Sequence, residues 1–115
     1  MIKLSTIATT PPASMTKKGV KKEMSNLLDE IEELQYLLNA EGKNSVLVVL
    51  QGMDASGKDG ITKKVFGACM PSGISVTSFK KPTDEEFAHD FLWRIHKEAP
   101  RKGMIKVFNL SLIHI

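Results

Sequence analysis

Between Lys21 and Ala40 the apolar residues fall at Met24, Leu27, Leu28, Ile31, Leu34, Leu37 and Leu38. Their spacing puts them on one face of a helix. Glu30, Glu32 and Glu33 lie off that face, and Gly42 follows as a stop signal. The stretch is too short for a coiled coil, so it predicts a helix packed on a sheet. The period then changes. Ser45 to Gln51 is an unbroken aliphatic and β-branched run, which predicts a strand buried on both faces in the middle of a parallel sheet.

Gly52 to Gly60 is a turn rich in Gly, Asp and Ser, after which helical spacing resumes over Ile61 to Met70 and stops before Pro71-Ser72-Gly73. Ile74 to Phe79 is a second short strand, and Lys80-Lys81-Pro82-Thr83 a loop. Thr83 with Glu86 three residues on makes a capping box for a helix over Asp84 to Lys97, closed by Pro100 and Gly103. Met104 to Phe108 is a third strand. Strand, helix, strand, helix, strand predicts a right-handed α/β winding around a parallel sheet. Residues 1–19, rich in Thr, Pro, Ser and Lys, read as a disordered or extended lead ahead of one domain over residues 20–115.

Composition narrows the picture a little. The chain has 115 residues, room for one domain at most and little room for a separate substrate domain. A net charge of +3 suits an anionic ligand without arguing for nucleic acid, since the cations are few and no aromatic platform interleaves them. The single cysteine, Cys69, excludes an intrachain disulfide and reads as a small buried hydrophobe. No apolar run approaches the ~18 residues of a membrane span, and no secretory signal opens the chain, so the cytoplasm is the expected location.

The chemistry lies in Gly52-Met53-Asp54-Ala55-Ser56-Gly57-Lys58, which has the G-x-x-x-x-G-K spacing of a phosphate-binding loop. Glycines let successive backbone N–H groups turn toward one point, Lys58 adds an ammonium, and the following helix aims its unpaired N–H groups at the same anion. The loop follows a predicted strand and precedes a predicted helix, the context such a loop requires. One position departs from the usual rule. The residue after the lysine is ordinarily Ser or Thr, and here it is Asp59, followed by Gly60. With Asp54 it sets two negative charges beside bound phosphate, an arrangement that calls for a cation such as Mg²⁺. Asp54 is the better candidate to hold it, because an acidic residue at Asp59 is also explained by the helix dipole alone.

In an open parallel sheet, ligands gather at the carboxyl ends of the strands. That places Lys80 and Lys81 on the same rim as the loop, although a solvated loop would also accommodate them. Arg94 is equally compatible with the cleft and with a structural role. Trp93, Phe87 and Phe91 are expected in the core, and His89 and His96 show no metal-ligand pattern.

With these residues in hand, the chain resembles the polyphosphate kinase 2 family over about residues 25–109. The resemblance rests on Val-Leu-Gln-Gly-Met-Asp-Ala-Ser-Gly-Lys-Asp-Gly at 49–60, Ser-Phe-Lys-Lys-Pro-Thr at 78–83, His-Asp-Phe-Leu-Trp-Arg-Ile-His at 89–96 and Lys106-Val107-Phe108-Asn109. Both loop aspartates are habits of that family. The resemblance implies a P-loop kinase-like, three-layer α/β/α fold with a parallel sheet, here cut to about three strands. It implies transfer of a phosphoryl group between inorganic polyphosphate and a nucleoside mono- or diphosphate (AMP, ADP, GMP or GDP), with Mg²⁺. In that reading Asp54 is the catalytic carboxylate near the metal and Lys58 the phosphate clamp. Gly52, Met53, Ala55, Ser56, Gly57, Asp59 and Gly60 cradle phosphate. Lys80 and Lys81 line the polyphosphate or nucleotide-phosphate path, and Arg94 adds charge there. The family assembles into homo-oligomers.

After Phe-Asn the family continues Arg-Ser-His-Tyr-Glu-Asp, whereas this chain reads Leu110-Ser111-Leu112-Ile113-His114-Ile115. The later strands, the lid arginines and a Walker-B-type acid do not follow. The expectation is therefore an N-terminal fragment of the domain whose last six residues are foreign to the family, and weak or no turnover by the chain itself. Two other readings stay open: an ATP-dependent small-molecule P-loop kinase, and a non-catalytic phosphate- or nucleotide-binding remnant.

Overall fold

In the computed structural model the described residues are 7–8 and 10–111. Residues 1–6 and 9 of the expected lead, and 112–115 of the six-residue tail expected to be foreign, lie outside them, while Leu110 and Ser111 of that tail are described.

Helix α1 (Lys17–Glu41) starts within the expected lead. Its N-cap is Thr16, whose Oγ1 accepts from the Gly19 N–H at 3.1 Å. Gly42 ends the helix in the left-handed conformation, φ 63°, as the sequence suggests. The apolar face divides in two. Leu28, Ile31 and Leu38 are half-buried, while Leu27, Leu34 and Leu37 are mostly exposed. The residue α1 buries best is polar: Gln35, at 2% exposure. Its amide pairs with the backbone of Met70, Oε1 accepting from the N–H at 3.1 Å and Nε2 donating to the carbonyl at 3.3 Å. Asn39 donates to the Gly103 carbonyl at 3.1 Å. The helix is thus fastened by side-chain amides to the turns below the sheet more than by an apolar seam.

Three parallel strands follow: β1 (Val46–Gly52), β2 (Ile74–Phe79) and β3 (Ile105–Ser111), in the order β1-β3-β2. The expectation that the first strand is central and buried on both faces is corrected here. β1 is an edge strand, with Val46, Leu47 and Val49 each more than two-fifths exposed. The central strand is β3, with Ile105, Val107 and Phe108 buried. An aliphatic run marks a strand able to be buried on both faces, but its place in the sheet depends on pairing with residues some sixty positions away.

Helix α2 (Lys58–Phe66) begins at the end of the loop and stops at Gly67, short of the expected Met70. A 3-10 turn over Pro71–Gly73 leads into β2. The helix expected over Asp84 to Lys97 is two short helices, α3 (Asp84–Ala88) and α4 (Trp93–Lys97). His89 is extended, and Asp90 Oδ1 takes the Leu92 N–H at 2.8 Å, a local side-chain bond that competes with helix. The capping box at Thr83 and Glu86 is present as predicted. The break moves the aromatic residues away from their expected places. Phe87 and Phe91 are about four-fifths exposed, and only Trp93 of the three is half-buried, stacked on His89 at 4.0 Å.

Alternation and register set Val49, Thr77, Phe79, Lys106, Phe108 and Leu110 on one face of the sheet. The segment from α3 to α4 lies against this face: Arg94 sits over the Phe79 ring, and Glu98 accepts from Thr77 at 2.6 Å and Lys106 at 2.8 Å. Phe79 and Phe108 meet edge to face at 4.9 Å. The opposite face carries Ser78, Val107, Asn109 and Ser111, and toward it lie the loop and α2. Helices on both faces of a parallel sheet make the α/β/α layering expected from the sequence.

Candidate phosphate-binding site

The loop between β1 and α2 turns through two left-handed positions. Gly57 sits at φ 91° and Ala55 at φ 60°, the latter unusual for a residue with a side chain. Gly57 is also the N-cap of α2 and supplies no side-chain acceptor, so the first N–H groups of the helix face the loop mouth. Gly52 has a second reason to lack a side chain, because a Cβ there would stand 2.6 Å from Ser56 Oγ. Lys58 folds back over the loop, donating to the carbonyls of Gly52 at 2.9 Å and Met53 at 2.7 Å and to Ser56 Oγ at 3.3 Å. An anion in the cradle would exchange those bonds to neutral carbonyls for bonds between two charged groups.

Asp54, Ala55, Ser56, Gly57, Lys58, Asp59 and Gly60 line one open cavity of about 380 Å³, together with Ser78, Asn109 and Ser111. The structure therefore brings together most of the loop residues singled out from sequence. It adds three that sequence reasoning missed. Asn109 donates to Asp59 at 2.6 Å, and Ser111 donates to Asp54 at 2.8 Å. Their signal was available in the period-two alternation of β3, which turns residues 109 and 111 away from the Phe108 side at the carboxyl end of the strand. β3 runs on to Ser111, three residues past the Phe108 at which the apolar pattern ends it. Met53 is two-thirds exposed and contributes its carbonyl.

Charge in this cavity is unbalanced for an anion. Two carboxylates and one ammonium line it, a formal balance of one negative charge. The donor set is oxygen-rich, with carboxylates, an amide and hydroxyls, which suits a hard divalent cation. Among the described residues no cluster of three or more His, Cys, Asp or Glu could hold a metal ion.

The cations beyond the loop lie elsewhere. Lys80 and Lys81 are exposed at the end of β2 and do not line this cavity. Arg94 donates twice to the Lys80 carbonyl at 3.1 Å and once to Glu86 at 3.3 Å, and its guanidinium lies 5.1 Å from the Phe79 ring centroid. It borders a second, mostly apolar cavity with Pro82, Phe87, Phe91 and Leu110 on the other face of the sheet. Cys69 is buried, and burial first, then the Glu32 carboxylate, pushes its thiol pKa up, as suits a core residue.

A family model described as polyphosphate kinase 2 matches residues 14–114. The chain belongs to the polyphosphate kinase 2 family. It is 50% identical over 95 residues to the AMP/ADP-polyphosphate phosphotransferase of Meiothermus ruber, a match covering 83% of this chain and 36% of that protein. It is 39% identical over 100 residues to the ADP-polyphosphate phosphotransferase of Rhodopseudomonas palustris, covering 87% of this chain and 35% of the relative. The crystal structure of polyphosphate kinase 2 from Arthrobacter aurescens TC1 superposes with a TM-score of 0.85 at 42% identity, over 96% of this chain and 42% of that one. The sequence-based fold, a P-loop kinase-like α/β domain of three parallel strands, agrees with that likeness. The chain spans about a third of the length of the curated relatives it matches.

Proposed function

We propose that this chain is the phosphate-loop portion, residues 20–115, of a cytoplasmic polyphosphate:nucleotide phosphotransferase that works with Mg²⁺. The observation that carries the reading is the loop cavity, where a backbone cradle and Lys58 stand beside two carboxylates that a single anion could not tolerate without a cation. The names of the relatives add the substrate class, polyphosphate with AMP or ADP.

In this reading the loop is a Walker A-type cradle whose N–H groups, from Gly52 to Gly60, hold one end of the polyphosphate or nucleotide phosphate. Lys58 leaves its carbonyl partners to take up the charge of the moving group. Asp54, the proposed catalytic carboxylate, and secondarily Asp59, would hold the metal, which when bound supplies charge neutralisation for in-line transfer. The bond from the terminal phosphorus of polyphosphate to its bridging oxygen breaks, and a bond from that phosphorus to an acceptor phosphate oxygen forms. The shortened polyphosphate leaves with the negative charge. Lys80 and Lys81, exposed at the end of β2 outside the cavity, would steer the polyanion toward the cradle. Arg94, tied to Lys80 and Glu86, would support that rim more than touch phosphate. Assembly into a homo-oligomer belongs to the same proposal.

The test is donor dependence. Purified chain with Mg²⁺, polyphosphate and AMP or ADP should bind polyphosphate and give slow formation of the higher nucleotide or none. Lys58→Ala should lower polyphosphate binding by at least tenfold, the scale of a lost charge-assisted phosphate contact in a partly desolvated site. Strict dependence on ATP, with no response to polyphosphate, would sink the proposal.

A further inference from the structure

Asp54 lies in the loop and Asp59 in the first turn of α2, and both carboxylates find side-chain partners on a distant strand. Asp54 and Asp59 take their hydrogen bonds from Ser111 and Asn109, which lie 57 and 50 residues further along the chain. Both donors stand at the carboxyl end of β3, where Asn109 is in register with Leu50 on one side and Ser78 on the other, and Ser111 with Gly52. β3 is the best-buried element of the sheet, with Val107 fully buried and Phe108 2% exposed. The loop, by contrast, has one backbone turn bond of its own, Ser56 to Met53 at 3.2 Å, and the Lys58 contacts. The central strand therefore supplies the side-chain partners of both carboxylates, with α2 as a second frame for Asp59 alone. Both donors are neutral. A lysine or arginine in either place would orient the carboxylate equally well but neutralise it, and so compete with any cation placed there.

We propose that Asn109 and Ser111 are positioning residues that fix the two loop carboxylates for a divalent cation shared with phosphate. The cation part rests on the phosphotransferase reading; the positioning part does not. Outer-shell partners of this kind act by orienting a ligand, and their removal commonly costs about 10–100-fold in metal affinity.

The experiment titrates Mg²⁺ against tripolyphosphate binding by the 115-residue chain, with thermal stability measured on each variant. Ser111→Ala should raise the half-saturating Mg²⁺ concentration about tenfold, and Ser111→Thr, which keeps the hydroxyl, should restore it. Asn109→Ala should behave as Ser111→Ala. A fall in melting temperature in the Ala variants with an unchanged Mg²⁺ midpoint would overturn the proposal, leaving both residues merely structural. Amide exchange in ligand-free protein is the second measurement. Residues 53–60 should exchange faster in both Ala variants and return to wild-type rates in Ser111→Thr, and unchanged exchange would likewise overturn it. If wild-type chain ignores tripolyphosphate at every Mg²⁺ concentration, the phosphotransferase reading falls while the exchange experiment still decides the positioning.

Discussion

On its β2 side, β3 is closed in: Phe108 packs edge to face on Phe79, Arg94 covers that ring, and Glu98 joins Thr77 to Lys106. On its β1 side the same sheet face carries Leu47 and Val49, 45% and 50% exposed, and the outer edge of β1 has no neighbouring strand among the described residues. Val49 and Phe108 are direct partners in register, yet one is half open to water and the other sealed. The phosphate loop springs from the open flank, and Asp54 and Asp59 are hydrogen-bonded to the strand that the closed flank packs. The chemistry thus sits where a well-packed half meets a bare one.

The largest test of that contrast is a pair of truncations. Phe108→Ala should cost about 3–5 kcal/mol, whereas Val49→Ala on the same face should cost less than about 1 kcal/mol. Denaturant unfolding of both variants reads the difference directly, and equal costs would break the comparison. Gly73→Ala comes next. A methyl there would land on the Gln35 amide, so about 1–3 kcal/mol should be lost, with the amide pairing to Met70.

Gly57→Ala should cost about 1–2 kcal/mol, because its φ of 91° is strained for any side chain, and should weaken phosphate binding together with stability. Ala55→Gly should move stability the other way by a few tenths to about 1 kcal/mol, read as a raised unfolding midpoint.

The smallest effect is acid-dependent. The Lys106 hydrogen bond, then that from Thr77, holds the Glu98 carboxyl below its ordinary value of 4.5. A lowered folded-state pKa contributes stability that is complete above that value and is lost as pH falls through the lower one. The side chain is 38% exposed, so screening keeps the effect modest. Stability profiles of wild type and Glu98→Gln should be separated above the ordinary value of 4.5 and converge only as pH falls through the lowered folded-state value. Parallel profiles throughout would show that the ion network contributes nothing to the closed flank.

What could be read in the sequence was local. The cradle from Gly52 to Lys58, the capping box at Thr83, the stop at Gly42 and the identity of all three strands follow from short-range rules that the fold obeys. What could not be read depends on distant partners. The aliphatic run of β1 carries no record of being at an edge. The periodicity from Asp84 to Lys97 hides the bond by which Asp90 splits the helix, and so Phe87 and Phe91 turn outward. Gln35 is polar on an apolar face, and only the backbone of Met70 explains its burial. The site followed the same division. The loop's own residues were legible, while Asn109 and Ser111 reach it from across the chain.

The strand order also dictates when the fold can form. Among the described residues β1 and β2 are not paired with each other and both pair with β3, so their pairing waits until Ile105–Ser111 is available. Val46 must wait for Ile105, and closing a loop of that length carries an entropic cost before any ladder bond offsets it. During synthesis, the helices can begin to wind, but the cradle lacks its strand frame and the Asn109 and Ser111 tethers until β3 slots between β1 and β2. Refolding should accordingly be a single late event, in which sheet signal and phosphate affinity return at the same rate.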